Sequence, residues 1–449
     1  MPTYLEKYAL ATVPRYTSYP PATQFHDGIG EDEYRDWLGA IHQGDTLSLY
    51  VHIPFCASLC WYCGCHTTVP NSTERAIDYV DALKLEIARV GECVSRSARV
   101  VQLHFGGGTP NYLPHLTLAA IIEALMERFT FDADTEISVE VDPRCLSKDH
   151  ISTLTRYGKV RVSIGVQDVS DDVQQLINRI QPFDKVHSVV DQLRSAGIDS
   201  INMDLMYGLP TQTVDHVHKS ASKCASLEPD RFAVFGYAHV PWFKKHQRAI
   251  DETLLPGGQE RLDQAEAVRN TLTDCGYAPI GIDHFAKRGD PLFKAYDSGR
   301  LRRNFQGYTV DPASALIGFG ASSIGSFNAG YIQNEPHLGR YKEAVMRGVI
   351  PVTRGIAVTD AERHTRAVIE RLMCDFEVDL REMAKDTNCS IKCFEPALAA
   401  LEPLRNDGLV EIERFKVQAT PMGRPYVRNI AACFDDGLGN AEQRFSRVV

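Results

Sequence analysis

Six short β-branched, apolar runs, separated by stretches of helical period, occupy the middle of this chain, and that alternation restricts its fold more than any other feature. The runs are LSLYVHI (47–53), VVQLHF (100–105), EISVEVD (136–142), VRVSIGV (160–166), INMDLMYG (201–208) and RFAVFGY (231–237). Between them lie ERAIDYVDALKLEIARV (74–90), HLTLAAIIEALMERF (115–129) and VHSVVDQLRSAG (186–197), the last stopping at Gly197. Strand and helix in alternation, joined by right-handed crossovers, give a parallel sheet. Six such units predict an α/β fold, a partial (β/α)6 TIM-like barrel, with a doubly wound sheet left open. The apolar runs predict strands covered on both faces.

Either architecture gathers reactive groups just beyond the C-terminal ends of the strands. Every run delivers one there. The first is followed by a cysteine cluster, the second by GGGTP (106–110), and the third ends in Glu140 and Asp142. The fourth ends in Gln167 and Asp168, the fifth holds Asp204 before YGLP, and the sixth leads into Tyr237, Ala238 and His239. Residues 1–46 lack apolar periodicity and carry PRYTSYPPA (14–22), which predicts an N-terminal extended arm before a barrel over 47–357. From 358 to 449 the pattern turns to helices followed by the ribbon LVEIERFKVQATPMG (409–423), a mainly helical, winged-helix-like C-terminal domain. Its charge of about −3 argues for a packing or lid role over DNA binding.

Hydrophobic residues make up 44% of the 449 and charged residues 24%, which excludes a disordered or fibrous chain. No window approaches the roughly 18 uncharged apolar residues of a membrane span. The start MPTYLEKYAL lacks the basic and apolar regions of a secretory signal. A cytoplasmic protein is expected, with no membrane partner. The formal charge of −10 disfavours a nucleic-acid partner and requires a local cluster of cations wherever an anionic substrate binds.

Twelve cysteines in a reducing compartment are not read as a disulfide framework. Cys93, Cys145, Cys224, Cys275, Cys374, Cys389, Cys393 and Cys433 are scattered and read as small buried hydrophobes. Cys56, Cys60, Cys63 and Cys65 crowd into one decapeptide, HIPFCASLCWYCGCHT (52–67) being its surroundings. Three thiolates on a tight loop can hold three corners of a [4Fe–4S] cube, leaving the fourth iron open to an amino-acid-type chelator such as the methionine part of S-adenosylmethionine (SAM). A structural zinc site, a dithiol pair at Cys60 and Cys63, and inert buried thiols are the competing readings. The zinc reading lacks a second cysteine pair. GGGTP is not a phosphate-binding P-loop, because no Gly-Lys-Ser/Thr follows; its backbone can be approached closely and its carbonyls can accept from an amine.

The CxxxCxxC spacing, with aromatic Tyr62 before the last cysteine, resembles the radical SAM superfamily. PRYTSYP near the start, YVHIPFC with the further Cys in CGC, RNFQGYT (303–309) and FSRVV (445–449) narrow the resemblance to the oxygen-independent coproporphyrinogen III oxidases, essentially from end to end. The radical SAM haem chaperones, which bind and deliver haem without decarboxylating, are the alternative; they typically lack the PRYTSYP arm and a cysteine at the position of Cys65.

The resemblance implies that two propionates of coproporphyrinogen III become vinyl groups, giving protoporphyrinogen IX. A 5′-deoxyadenosyl radical, made from SAM at a [4Fe–4S] cluster, takes a hydrogen atom from the propionate β-carbon; CO2 and one electron then leave. A low-potential electron donor, an unidentified acceptor and a monomeric state complete the expectation. By matching position, Cys56, Cys60 and Cys63 are the cluster ligands, and Cys65 is a non-ligand cysteine associated with catalysis. The family holds two SAM molecules, the first matched by Tyr50, Gly107, Glu140 and Ile324, the second by Tyr62, Gly108, Thr109, Gln167, Arg179, Asp204 and Ala238. Tyr50 and Glu140 are carried over as catalytic as well. Trp61, Tyr62 and His66 depart from the residues usual in the family. For a substrate with four carboxylates, Arg15, Arg300, Arg302 and Arg303 are the candidate cations, and Tyr16, Tyr19, Phe305 and Tyr308 the flanking aromatics.

Overall fold

The computed structural model describes residues 4–438 and 445–448; residues 1–3 of the expected arm, and 439–444 and Val449 of the expected C-terminal segment, lie outside them. The six runs form β1 (Thr46–Ile53), β2 (Arg99–Gly107), β3 (Thr130–Val141), β4 (Lys159–Gln167), β5 (Ser200–Tyr207) and β6 (Arg231–Gly236). They pair in parallel and in strict chain order. A doubly wound sheet reverses its order at a switch point. This order never reverses, so the partial barrel stands. Beyond β1 the sheet continues through Ala315–Phe319, parallel to β1, and then three antiparallel strands; beyond β6 it continues through antiparallel His284–Ala286 and Ala278–Ile280. Its two edges do not pair with each other among the described residues, and the barrel is open.

The expected helices are present at Thr73–Cys93, His115–Arg128 and Phe183–Ser195. Just past the last of these, Gly197 takes φ +82°, the left-handed conformation that lets the chain leave a helix. Burial corrects the expectation of apolar cover on both faces. Leu103, Phe105, Ile137, Val139, Val162, Ile164, Ile201 and Met203 are buried in the main core with residues of the helices. Their alternate neighbours His104, Ser138, Glu140, Ser163, Asn202 and Asp204 line a cavity. The strands alternate in strict period two because helices pack on the outer face alone, while the inner face surrounds a polar site.

The N-terminal segment is also less extended than expected, with helices at Glu6–Ala9 and Glu31–Gly39. The second buries Tyr34 and Leu38 in the main core, and Glu33 accepts from its capping Gly30 N–H at 2.9 Å. Between these helices the arm reaches the far end of the sequence, where Thr12 bridges Arg447. Tyr8, Tyr16 and Tyr19 share a second core with Leu372, Met373, Leu401 and Tyr426. The C-terminal segment has helices Asp360–Asp375, Leu380–Asp386 and Glu395–Asn406 beside an antiparallel sheet ordered Glu377–Asp379, Lys416–Ala419, Val410–Glu413, a winged-helix-like arrangement. No helix among the described residues is long and apolar enough to cross a membrane.

Candidate active site

The chain leaves β1 at Ile53 and enters the loop that carries four cysteines. Backbone hydrogen bonds close its base, from Cys56 N to Thr68 O at 3.0 Å and from Thr68 N to Pro54 O at 2.8 Å. Four side chains then hold its carbonyls. Asn178 donates to Leu59 O (2.8 Å), Gln247 to Tyr62 O (2.9 Å), His246 to Cys63 O (2.7 Å) and Lys244 to Cys65 O (2.9 Å). All four cysteines face a cavity of about 480 Å³ at the C-terminal ends of the strands. Thr109 Oγ1 donates to Cys56 Sγ at 3.3 Å, and Arg179 Nη1 and Arg144 Nη2 point at Cys60 Sγ from 3.6 and 3.9 Å. The Thr109 hydroxyl favours the Cys56 thiolate, but burial outweighs it and pushes that thiol up. The hydrogen bond from Cys65, against burial and with help from Lys244 and Arg179, brings the Cys63 thiol down to about 7.

The glycine run at the end of β2 is fixed by its neighbours in the protein, not only by space for a ligand. A Cβ on Gly106 would lie 2.8 Å from Glu140 Oε1, one on Gly107 would lie 2.5 Å from His52 Cε1, and one on Gly108 would lie 2.7 Å from Phe55 O. Gly107 also sits at φ +112°, where a side chain is strained. Its N–H donates to Glu140 Oε2 at 3.2 Å, and His104 Nε2 lies 3.1 Å from Oε1. Burial raises the Glu140 carboxyl, but these contacts from His104 and Gly107 outweigh it and hold the group below its ordinary range.

Tyr50 meets His52 Nδ1 at 3.0 Å, while His52 Nε2 meets the His66 carbonyl at 2.8 Å. A carbonyl only accepts, so Nε2 carries the proton, Nδ1 accepts, and the Tyr50 hydroxyl donates to it. Burial, the main cause, pushes His52 down to about 4, so the ring is neutral. The oxygen of Tyr50 is left with lone pairs free to accept. Asp204 accepts from Ser163 (3.1 Å) and Asn202 (2.8 Å), yet burial, with the nearby Glu140 charge, lifts it to about 6. Gln167 stands at φ +72°, at a bulge between β4 and β5 that redirects its side chain. Arg179 is already engaged with Asp142 (3.3 Å) and Gly165 O (2.6 Å); only its buried Nε has no partner.

Tyr62, Gly107, Gly108, Thr109, Gln167, Arg179, Asp204 and Ala238 therefore line the same cavity as the cysteines, Tyr50 and Glu140. Ile324 does not; it packs beside Phe25, Tyr331 and Val358. Sequence reasoning missed Arg144, Lys244, His246 and Gln247. Arg144 carried a signal, following Asp142 by two residues, whereas nothing local tied KKHQ (244–247) to the cysteine loop.

A second cavity, of about 1040 Å³, adjoins the first and shares Arg15, Phe235, Gly236, Tyr237 and Ala238 with it. Seven arginines (15, 261, 269, 303, 424, 428 and 447) line it against three carboxylates, Glu252, Glu266 and Asp283. Among the described residues only Arg269 of the seven is in an ion pair, with Glu266 at 3.8 Å. Arg161 and Arg231 of the barrel floor differ, being paired with Glu136 and Asp290 at 2.7 and 2.8 Å. Burial, then repulsion from Arg15 and Arg303, lowers Arg428 to about 9. Of the expected substrate groups, Arg15 and Arg303 line this cavity and Tyr308 the first, whereas Arg300, Arg302, Phe305, Tyr16 and Tyr19 line neither. Tyr16 and Tyr19 are spent in the second core, where Tyr16 donates to Asp435 at 3.0 Å.

The scattered cysteines are less uniform than expected. Cys224 and Cys374 are buried, Cys93, Cys145, Cys389 and Cys433 are half-buried, and Cys275 and Cys393 are exposed.

Residues 50–224 match the radical SAM superfamily. The chain is 42% identical, over 98% of both chains, to the oxygen-independent coproporphyrinogen III oxidase of Bradyrhizobium diazoefficiens. It is 40% identical to the protein of that name from Escherichia coli, covering 97% of this chain and 96% of that one. A solved structure of coproporphyrinogen III oxidase from Escherichia coli, described as a radical SAM enzyme, superimposes with a TM-score of 0.90 at 39% identity, over 95% of this chain and 100% of that one.

Proposed function

This chain belongs to the oxygen-independent coproporphyrinogen III oxidases of the radical SAM superfamily, and on that premise we propose that its two cavities divide the reaction, one holding the cofactors and the other the propionates of the substrate. It is an oxidoreductase of porphyrin biosynthesis whose cofactors are a [4Fe–4S] cluster and SAM. The names of the relatives favour the enzyme over the haem chaperone.

The donor set fits the cluster. Cys56, Cys60 and Cys63 converge from one pinned loop, and cationic neighbours offset the charge of three thiolates. With cluster and SAM in place, the pair supplies a 5′-deoxyadenosyl radical that takes hydrogen from a propionate β-carbon. The residues of the chain then position and shield. The carboxylates of Glu140 and Asp204 accept from SAM amine or hydroxyl groups, the Tyr50 oxygen accepts likewise, and Arg179 Nε is the donor left for a carboxylate. Gly107, Gly108 and Thr109 present backbone, Tyr62, Gln167 and Ala238 form the walls, and Cys65 lines the cofactor cavity as a hydrogen-bearing thiol. A second SAM molecule shares this cavity.

The observation that carries the reading is the set of arginines without carboxylate partners beside the cofactor cavity. Three of the seven are exposed and four half-buried; unpaired cations gathered at one cavity repel one another until an anion neutralises them, and the substrate brings four carboxylates. Residues 47–357 supply the chemistry, while the arm (1–46) and the C-terminal segment (358–449) contribute Arg15, Arg424 and Arg428 to the substrate side. A low-potential donor and a separate acceptor move the electrons, and the protein works as a cytoplasmic monomer, without nucleic-acid or membrane partners.

The test is an anaerobic assay with coproporphyrinogen III, SAM and a low-potential reductant. Formation of protoporphyrinogen IX is expected. SAM cleavage that yields no new porphyrin product would transfer the site to another substrate.

A further inference from the structure

We propose that His364, Cys389 and Cys393 form a binding site for a thiophilic divalent cation, Zn²⁺ by ligand chemistry, outside both cavities. Nδ1 or Nε2 of His364 and the two sulfurs all lie within 4.8 Å of one another, and the sulfurs are 3.2 Å apart. Two separate elements bring them together. His364 lies near the start of helix Asp360–Asp375. Helix Leu380–Asp386 ends through Asn388 at φ +55°, and Cys389 N then donates to Ala384 O at 2.9 Å. The chain turns again at Ile391–Phe394, where Cys393 N donates to Ser390 O at 3.0 Å, so that the two thiols four positions apart meet on one side. Beneath them Ile391, Phe394 and Met383 belong to the second core, which fixes the turn from below.

Zn–S and Zn–N bonds of about 2.3 and 2.0–2.1 Å in a tetrahedron place two sulfurs about 3.8 Å apart and the nitrogen about 3.6 Å from each. The triangle found here reaches that size by shifts of roughly an ångström or less. Two thiolates and an imidazole select Zn²⁺ over Mg²⁺ or Ca²⁺, which take oxygen ligands. His364 and Cys389 are half-buried and Cys393 is exposed, so an ion has access. Among the described residues no fourth His, Cys, Asp or Glu joins the group, and water completes the shell. None of the three lines either cavity. A bound ion ties helix Asp360–Asp375 to the 387–394 turn within the segment that supplies Arg424 and Arg428.

The experiment uses anaerobically purified holoprotein, incubated with Zn²⁺ and desalted, with zinc, iron and sulfide measured together and the zinc K-edge absorption spectrum recorded. About one Zn²⁺ per chain with two sulfur neighbours and one imidazole is expected. The Cys389→Ser, Cys393→Ser double variant loses this zinc and keeps its iron and sulfide, and His364→Ala binds zinc at least tenfold more weakly. Zinc content unchanged in the double variant overturns the proposal. So does a wild-type spectrum without two sulfur neighbours, or a Cys389–Cys393 disulfide that takes up no zinc after reduction. The wild-type spectrum decides the matter even if the double variant does not fold.

Discussion

Arg179 Nη1 lies 3.6 Å from the sulfur of Cys60, and the same nitrogen lies 3.3 Å from the carboxylate of Asp142. One buried guanidinium thus links the cysteine loop to the end of β3. A donor at a cluster sulfur stabilises the more negative, reduced state more than the oxidised one. Arg179→Gln is expected to retain iron and sulfide, because the three thiols are untouched, and to lower the midpoint potential. Potentiometry followed by electron paramagnetic resonance measures it. A midpoint equal to wild type contradicts the assignment.

The two C-terminal cysteines of the loop separate by role. Cys63→Ala is expected to abolish the brown colour of the anaerobic protein, its iron and its formation of 5′-deoxyadenosine. Cys65→Ala is expected to keep iron and SAM cleavage while product formation falls. Colour retained in Cys63→Ala would remove that residue from the ligand set.

Gly107 has no room for a methyl group, with His52 Cε1 2.5 Å from where a Cβ would stand and φ at +112°. Gly107→Ala is expected to lower folding stability by about 2–4 kcal/mol and to displace the N–H that holds Glu140. Denaturant unfolding of wild type and variant measures the loss. A difference below the error of the two curves would mean that the His52 ring moves freely, against its fixed bond to His66.

Arg15 and Arg424 line the second cavity without a carboxylate partner among the described residues. A charge-assisted hydrogen bond to a substrate carboxylate contributes about 1.5–3 kcal/mol. Arg15→Gln and Arg424→Gln are therefore each expected to raise KM for coproporphyrinogen III about ten- to a hundredfold, while cleavage of SAM in the absence of substrate stays near wild type. Steady-state kinetics and 5′-deoxyadenosine release distinguish the two effects. An unaltered KM in both variants would place the propionates elsewhere.

Glu86, on helix Thr73–Cys93, is buried and accepts from Gly320 N–H at 2.8 Å, from Asn334 Nδ2 and from Tyr341 Oη. Burial, which outweighs these three donors, raises its carboxyl to about 7 from a model-compound value of 4.5. The folded state thus holds a proton that the unfolded state releases across this interval. Stability is greatest below the lower value and falls as pH rises through 7, by about 3 kcal/mol from this group alone. Glu86→Gln removes that slope, because an amide does not titrate in this range. Urea midpoints from pH 5 to 8 test this; parallel profiles for wild type and variant would refute it.

The strands were legible because period and apolar content are local properties of the sequence; their order was not, since the same runs also fitted a doubly wound sheet. The faces were less so: β2 to β5 read as apolar runs, yet His104, Glu140 and Asp204 belong to an alternation whose meaning depends on the helices packing outside only. Cys56, Cys60 and Cys63 declared themselves by spacing. Lys244, His246 and Gln247 did not, because their role is to hold carbonyls about 180 positions away, a pairing that only the closed fold creates. Arg300 and Arg302 resemble Arg303 in sequence, but of these three only Arg303 turns toward the second cavity. Ile324 rested on resemblance, and its side chain joins a small apolar cluster with Phe25, Tyr331 and Val358.

Arg428 donates to the carbonyls of Val13 and Pro14, and to those of Ser446 and Arg447, while Arg15 Nε reaches Ser446 Oγ at 3.5 Å across 431 positions. The rim of the anion-binding pocket is therefore a seam that closes only where these two distant segments meet. Parting that seam would unmake the porphyrin mouth while sparing the cysteine loop, whose own hydrogen bonds lie elsewhere.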